Sequence, residues 1–313
     1  MTDETYVYLG DALGSYGFGG GHPFSPQRYT VFKQAFEDKG LVARCHVEAP
    51  VAADAKQIER FHTHDYVQRV QAQSRDGIGW LDYGDTPAYK GVYEAAAVVV
   101  GTTLDAMRRI MIGKCKRAFV PIAGLHHAAR DAAAGFCVFN DCGVAIESLQ
   151  SEYGLKRVAY IDIDAHHGDG VFYAFEDNPG VLIADLHQDG RTLYPGTGFA
   201  NETGKGRAKG TKLNIPMPPG ADDNLFMSAW ERVEQFLHVH QPEFILLQCG
   251  VDSIRGDPIT AMAYSSRAHA HSAERLREIA DSYSEGRLLA TGGGGYNLSN
   301  VAAGWTAVVE ALV

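Results

Sequence analysis

The chain has 313 residues, 45% of them hydrophobic, and a formal net charge of −10 at pH 7. That apolar content is enough for a large core, and we treat residues 1–313 as one domain. The negative charge argues against nucleic acid as a partner, because phosphate contacts need a basic face. It mildly favours cationic partners, such as lysine-rich segments or polyamines.

Cysteine usage and hydrophobicity indicate a cytoplasmic protein without membrane contact. The five cysteines form no C-x-x-C pair, which a reducing compartment explains most simply. They are Cys45, Cys115, Cys137, Cys142 and Cys249. The longest apolar stretch, near residues 95–100, is too short to span a bilayer. The first residues lack the basic and apolar regions of a signal peptide.

Apolar strand-like runs alternate along the chain with helix-like segments, which predicts βαβ units, an α/β fold and a parallel sheet. The predicted strands are, in chain order, Tyr6–Leu9, Ala118–Ile122, Val158–Ile163, Val181–Leu186, Phe244–Cys249 and Leu288–Thr291. The predicted helices are Pro26–Lys39, Gly91–Ile112, Cys142–Tyr153, Leu225–His240 and Ser266–Ser284. The segment Asn201–Lys212, in which basic residues lie among glycines, is predicted to be a solvated loop.

Residues 162–170 read DIDAHHGDG and directly follow the apolar run 158–161. Parallel α/β sheets carry their chemistry at the carboxyl ends of strands. If the segment stays extended, Asp162, Asp164 and His166 point to the same side. Ionisable groups behind a buried strand are costly without partners. A carboxylate and an imidazole two residues apart are typical of one half of a zinc-type site.

Four other predicted strands also lead into reactive groups. In chain order these groups are His126 with His127, then His187, Asp252, and Tyr296 behind four glycines. Because the carboxyl ends of parallel strands meet at one edge of a sheet, we expect these groups to converge.

Three of the side chains suit a catalytic zinc site. Asp164, His166 and Asp252 offer nitrogen and oxygen ligands and leave positions open for water and substrate. Such a metal would polarise a carbonyl and lower the pKa of bound water. No H-E-x-x-H, G-x-S-x-G, P-loop or G-x-G-x-x-G pattern offers a competing chemistry.

The remaining groups suit proton transfer and oxyanion stabilisation. His126 and His127 can serve as general base and general acid if a carboxylate behind each one fixes its tautomer. Asp162 and Asp169 are the spare carboxylates. The Tyr296 hydroxyl can bond the oxyanion of a tetrahedral intermediate. Together these residues describe the metal-assisted hydrolysis of an amide.

Six segments match one known family in the family's own order. They are GHPFSPQR (21–28), GLHHAARDAAAGFCVFND (124–141), YIDIDAHHGDGV (160–171), LYPGTG (193–198), GVDSIRGDP (250–258) and GGGGYN (292–297). Through them the chain resembles the zinc-dependent histone deacetylase superfamily, in its bacterial deacetylase and acetoin-utilisation branch. The resemblance extends from about Tyr6 to Trp305.

The resemblance implies a fold and a set of roles. The fold is a single arginase/deacetylase α/β domain around an eight-stranded parallel sheet flanked by helices. The implied zinc ligands are Asp164, His166 and Asp252, and the implied catalytic residues are His126, His127, Asp162, Asp169 and Tyr296. The implied substrate residues are Gly135, Phe136, Tyr194, Ile259 and Gly294 in the acyl-lysine channel and Arg28 in an internal cavity that handles product acetate.

The family also implies potassium. The first site would use Asp162, Asp164, His166, Asp185 and Leu186, and the second would use Phe175, Asn178 and Val181. Three positions depart from the family pattern. Asp185 replaces a serine that many relatives use at the first potassium site, Tyr194 replaces a phenylalanine, and Ala303 replaces an arginine.

The resemblance predicts a zinc-dependent deacylase for N-acetyl-lysine in a protein or peptide, or for a related small N-acyl amine, that releases acetate. Three alternatives stay open. An acetylpolyamine amidohydrolase shares the scaffold but usually carries an inserted loop, which is not evident in this sequence. An arginase-like di-manganese hydrolase would want an aspartate where Ser253 stands. A non-catalytic acyl-group binding protein would not need Tyr296 and both histidines. An oligomeric state is left open.

Overall fold

Eight parallel strands form one sheet in the computed structural model, which describes residues 2–313, with side chains from residue 4 onward. The strands are β1 (Thr2–Tyr8), β2 (His46–Glu48), β3 (Cys115–Val120), β4 (Val158–Asp162), β5 (Val181–Gln188), β6 (Lys212–Met217), β7 (Phe244–Gln248) and β8 (Leu288–Thr291). Their order across the sheet is β2-β1-β3-β8-β7-β4-β5-β6, and each neighbouring pair is parallel. The predicted parallel α/β fold is confirmed.

α-Helices connect most of the strands, as is usual for the crossovers of parallel strands, whereas a loop with a short 3-10 turn, Gly206–Ala208, joins β5 to β6. They are α1 (Asp11–Gly14), α2 (Gln27–Asp38), α3 (Ala55–Ile58), α4 (His64–Asp76), α5 (Val92–Met111), α6 (Asp141–Ser151), α7 (Asp169–Phe175), α8 (Asp223–His240), α9 (Ser266–Tyr283) and α10 (Leu298–Leu312). No helix in this described part of the chain is long and apolar enough to cross a bilayer.

The core lies between the sheet and these helices. Every residue of β4, β5 and β7 is buried, which explains why those strands read as continuous apolar runs. Helix α10 packs against α2 and α9, and its Trp305 is fully buried. All five cysteines are buried and free, and they pack as small core residues.

Local sequence signals start the helices that carry site residues. The Asn140 side chain accepts a hydrogen bond from the Gly143 N–H and so caps α6. Asn297 caps α10 in the same way, directly after Tyr296. Asp169 lies in the first turn of α7, where a carboxylate is favoured by the helix dipole. The two caps and Asp169 therefore set where α6, α10 and α7 begin, next to loops of the candidate site.

The predicted elements are present, with ends displaced by at most four residues. The predictions missed the strands β2 and β6 and the helices α1, α3, α4, α7 and α10. In the predicted loop 201–212 the basic residues Lys205, Arg207 and Lys209 are exposed, but Lys212 is not part of the loop. Lys212 begins β6 and is buried.

Candidate active site

The candidate site lies at the carboxyl ends of β3, β8, β7 and β4, which are the four central strands of the sheet. Loops from three of these strands meet at Asp164, which follows the fourth. Gln248 at the end of β7 donates to Asp164 Oδ2 at 2.9 Å and to the Gly124 carbonyl at 3.2 Å. The Gly294 N–H, after β8, donates to the same Asp164 oxygen at 2.8 Å. The predicted convergence is therefore observed for the ends of β3, β4, β7 and β8, but not for His187 at the end of β5.

Asp164, His166 and Asp252 form a compact cluster whose candidate ligand atoms all lie within 4.8 Å of one another. Nδ1 of His166 lies 3.1 Å from Asp164 Oδ1 and 3.0 Å from Asp252 Oδ2. The two carboxylates are almost completely buried, at 1% and 0% exposure. Buried carboxylates need a compensating cation, and two oxygens with one imidazole nitrogen are a donor set that zinc accepts. The residues thus fit the metal.

The pKa shifts of the two aspartates also support a metal site. Burial, followed by the field of Asp164, raises the pKa of Asp252 to about 7. Burial also opposes ionisation of Asp164, but the neighbouring His126 and His166 hold its pKa well below the usual range. One carboxylate thus ionises at the expense of the other, and a divalent cation between them would stabilise both in the charged form.

Backbone and side-chain donors hold the two carboxylates in place. The Ala165 N–H donates to Asp252 Oδ1 at 2.8 Å, and Gln248 and Gly294 bind Asp164 as described above. The sequence prediction missed Gln248. The available signal was a polar residue at the end of an otherwise apolar strand, FILLQ. Partners of this kind orient metal ligands and are part of a metal site.

The predicted common direction of Asp162, Asp164 and His166 is not observed. Strand β4 ends at Asp162, and the chain turns there because Asp162 Oδ1 accepts the Asp164 N–H at 3.0 Å. Asp164 and His166 meet Asp252, whereas Asp162 Oδ2 lies 2.8 Å from His126 Nδ1. The alternation of an extended strand does not apply beyond its last residue.

His126 and His127 form a hydrogen-bonded pair with a carboxylate at each end. Their Nε2 atoms lie 3.1 Å apart. Asp162 binds Nδ1 of His126, and Asp169 Oδ1 lies 2.6 Å from Nδ1 of His127. The Tyr160 hydroxyl also donates to Asp162 Oδ2, at 2.6 Å. The structure brings each spare carboxylate to one histidine.

The two histidines differ in charge. Burial alone would lower the pKa of His126, but Asp162 and then Asp164 raise it to about 10. Burial, followed by repulsion from His126, lowers the pKa of His127 to about 4, although Asp169 opposes this. At pH 7 His126 is therefore protonated on both ring nitrogens and positively charged, whereas His127 is neutral.

Two residues of the 124–141 segment fix the loop that carries this pair. The fully buried Asp141 carboxylate accepts the N–H groups of Gly124 and Leu125 and the Thr103 hydroxyl at 2.8–3.1 Å. Asn140 Nδ2 donates to the carbonyls of His126 and Ala128. The sequence prediction gave neither residue a role, because a buried positioning contact has no local sequence signature.

Tyr296 and Arg28 meet at the glycine loop. The Tyr296 N–H donates to Asp257 Oδ2 at 2.7 Å, and its ring packs edge-on against Phe136 with centroids 5.7 Å apart. Arg28 is fully buried and donates through Nε to the Gly295 carbonyl and through Nη2 to the Gly293 carbonyl. Its Nη1 is buried without a hydrogen-bond partner among the described residues.

A narrow pocket leads to the cluster. It is lined by His126, His127, Gly135, Gly294 and Tyr296, among others. A side chain on Gly135, whose φ is +52°, would overlap the His127 ring, and one on Gly294 would overlap Asp252. Glycine at these two positions is thus a requirement of the close packing.

The other predicted channel residues lie nearer the solvent than Gly135 and Gly294. Phe136 is half-buried, whereas Tyr194 is 46% exposed and its ring lies edge-on to His127, with centroids 5.1 Å apart. Ile259 is also partly exposed, and its N–H donates to Asp257, which holds the Tyr296 loop.

The residues assigned to potassium fall in two places. Asp162, Asp164, His166, Asp185 and Leu186 lie around the end of β4 and the adjacent β5. The Asp185 carboxylate is bonded to Nδ1 of His187 at 2.6 Å and to the Gly168 N–H at 2.9 Å. His187 also bonds the Gly198 carbonyl, so it is a buried structural residue and not part of the convergent site.

The second group, Phe175, Asn178 and Val181, forms the turn from α7 to β5. The Lys212 ammonium group donates to the carbonyls of Asn178 and Val181, at 3.1 and 2.5 Å.

The chain is similar along nearly its whole length to proteins of a known family. The family model described as "Histone deacetylase domain" matches residues 22–312. Acetoin utilization protein AcuC of Bacillus subtilis is 35% identical, with 96% of this chain and 79% of that protein covered. Histone deacetylase RPD3 of Saccharomyces cerevisiae is 32% identical, with coverages of 96% and 69%. The crystal structure of the HDA15 HD domain superimposes with a TM-score of 0.91 at 28% identity, covering 99% of this chain and 90% of that one.

Proposed function

The chain belongs to the histone deacetylase family and is a deacetylase, and on that basis we propose a zinc-dependent hydrolysis with a defined substrate class. The substrate is N-acetyl-lysine in a protein or peptide, or a related small N-acyl amine, and acetate is released. The observation that carries the proposal is the hydrogen-bonded histidine pair beside the cluster of Asp164, His166 and Asp252.

That cluster would hold the zinc ion through its carboxylate oxygens and Nδ1 of His166. When bound, zinc supplies a Lewis acid that polarises the substrate carbonyl and acidifies the attacking water. Ser253 argues against a second metal in an arginase-like site. Its hydroxyl bonds the carbonyls of Ile163 and Gly250, and it offers no further carboxylate.

His127 is the base that takes the proton of the attacking water. Because His126 carries the extra proton, its Nε2–H points to Nε2 of His127, and the proton of neutral His127 lies on Nδ1, facing Asp169. The His127 lone pair is thus on Nε2, which lies at the pocket and accepts the His126 Nε2–H in this structure, so His127 takes a proton when the attacking water replaces that hydrogen bond. Charged His126 stabilises negative charge that develops there, and the protonated pair then returns a proton to the leaving amine.

Tyr296 would bind the carbonyl oxygen of the substrate. Burial, and next the negative charge of Asp252, raises the pKa of Tyr296, so its hydroxyl stays protonated and remains a donor. Arg28 offers its unpartnered Nη1 behind the same glycine loop. A buried guanidinium with a free donor suits the carboxylate of product acetate.

The shape of the pocket supports the proposed substrate class. Gly135 and Gly294 leave room only for a slender chain, and Phe136 and Tyr194 add aromatic surface nearer the solvent. An unbranched acylated alkylamine, as in acetyl-lysine, has this shape. The pocket accepts the amine end of the substrate, and the assay below decides which molecule carries that amine.

The test measures acetate release from an acetyl-lysine peptide by wild type and Tyr296→Phe. Removing one oxyanion donor is expected to lower kcat about 100- to 1000-fold. Tyr283→Phe, which removes a phenol hydroxyl far from the site, is the matched control and should keep full activity. A Tyr296→Phe enzyme within about threefold of wild type would reject the assigned chemistry. Acetylpolyamines and small acetamides, assayed in parallel, decide the carrier, and the absence of turnover on all of them favours a binding protein.

A further inference from the structure

Lys212 is buried, and all the hydrogen-bond partners of its ammonium group in the described residues are neutral oxygens. Its side chain is 2% exposed, although lysine is rarely buried without an anionic partner. Nζ donates to the carbonyls of Val181 at 2.5 Å and Asn178 at 3.1 Å, and to Thr211 Oγ1 at 2.9 Å. Three neutral oxygens thus accept all three ammonium protons.

Hydrogen bonds that do not involve the lysine also hold the turn that carries the two carbonyls. The Val181 N–H donates to the Asn178 carbonyl, and the Gly180 N–H donates to Asn178 Oδ1. Asn178 Nδ2 in turn donates to Gln150 at 2.9 Å. The turn from α7 to β5 therefore presents its carbonyl oxygens at a fixed position, and a cage of backbone carbonyls is the environment in which proteins bind monovalent cations.

We propose that the Lys212 ammonium group is a tethered cation that occupies this carbonyl cage, so that the chain binds no potassium ion between Asn178 and Val181. The resemblance assigned a second potassium ion to this turn, and the residues present do not fit it. An ammonium group and a potassium ion are similar in size, and two cations cannot share the same two oxygens. The turn is stabilised from within the chain at any potassium concentration.

The charge state of the lysine agrees with this role. Burial lowers the pKa of Lys212 to about 8, and Asp177 opposes the change. The amine is therefore mostly protonated at pH 7. The cation ties β6, which begins at Lys212, to the turn between α7 and β5, and α7 is the helix whose first residue is Asp169 of the candidate active site.

The experiment compares thermal unfolding of the full chain in potassium chloride and in choline chloride at equal ionic strength. Lys212→Ala should lower Tm by about 3–10 °C in choline, because the Val181 and Asn178 carbonyls and the Thr211 hydroxyl each lose the hydrogen bond from Nζ. Potassium should restore at least half of that loss, since the ion can now enter the cage. Lys209→Ala, an exposed lysine of the same segment, is the matched control and should behave as wild type. Equal potassium-minus-choline shifts in wild type and Lys212→Ala would overturn the proposal.

A second measurement needs no variant. Wild-type crystals soaked in rubidium chloride should give no anomalous peak between the Asn178 and Val181 carbonyls. A rubidium ion bound to those two oxygens would disprove the tethered-cation assignment, whatever the variant does.

Discussion

Replacing Asp169 by asparagine tests whether Asp169 determines which ring nitrogen of His127 carries the proton. The Asp169 carboxylate lies 2.6 Å from His127 Nδ1 and can only accept, so it holds the proton on Nδ1 and leaves the lone pair on Nε2. An asparagine can present its NH2 group instead, which favours the opposite tautomer. A hydrogen bond to a charged group contributes about 1.5–3 kcal/mol. At about 1.4 kcal/mol per factor of ten, its loss should lower kcat about 10- to 150-fold.

The assay is kcat/KM on an acetyl-lysine peptide as a function of pH, with circular dichroism and metal content as checks on folding and loading. The active form needs neutral His127, so activity is present above its pKa, near 4, and is lost as pH falls through it. Asp169 raises that pKa, so Asp169→Asn should move the acid limb to lower pH while it lowers the plateau. Asp76→Asn, an exposed aspartate, is the control. A plateau within about threefold of wild type would refute the tautomer argument.

Two further substitutions test how the site is held. Gly135→Ala adds a methyl group at positive φ that overlaps the His127 ring, so we expect a loss of about 1–3 kcal/mol in the free energy of unfolding, measured by denaturant titration, together with reduced turnover. A fully stable, fully active variant would contradict the close packing. Asp141→Ala leaves two buried N–H groups and one hydroxyl without their acceptor, which should cost about 2–5 kcal/mol in the same titration. A loss below about 1 kcal/mol would mean that water replaces the carboxylate.

The sequence predicted the strands best where both faces of the sheet are buried. Strands β4 and β7 lie at the centre of the sheet and read as continuous apolar runs, so their ends and the groups behind them could be predicted. Strands β2 and β6 are the two edges of the sheet. One is only three residues long, and the other contains Lys212, Asn214 and Pro216, so neither has an apolar run to recognise.

The residues of the candidate site could also be predicted only in part. Reactive residues in short motifs, such as Asp164 and His166, could be assigned because their spacing itself carries chemical meaning. The contacts that hold them could not, since they join residues far apart in the chain. Gln248 reaches Asp164 across 84 residues, and Lys212 reaches Val181 across 31. Nothing in the sequence near Lys212 distinguishes it from the exposed basic residues that precede it.

Metal content of the purified chain tests the central claim most directly. After removal of loosely bound metal, the account predicts about one equivalent of zinc per chain, bound by Asp164, His166 and Asp252, and acetate release that a chelator abolishes and zinc restores. Asp252→Ala should lose both the zinc and the activity, whereas the exposed Asp76→Ala should keep them. Two tightly bound transition metals, or full activity in a zinc-free Asp252→Ala enzyme, would contradict the account.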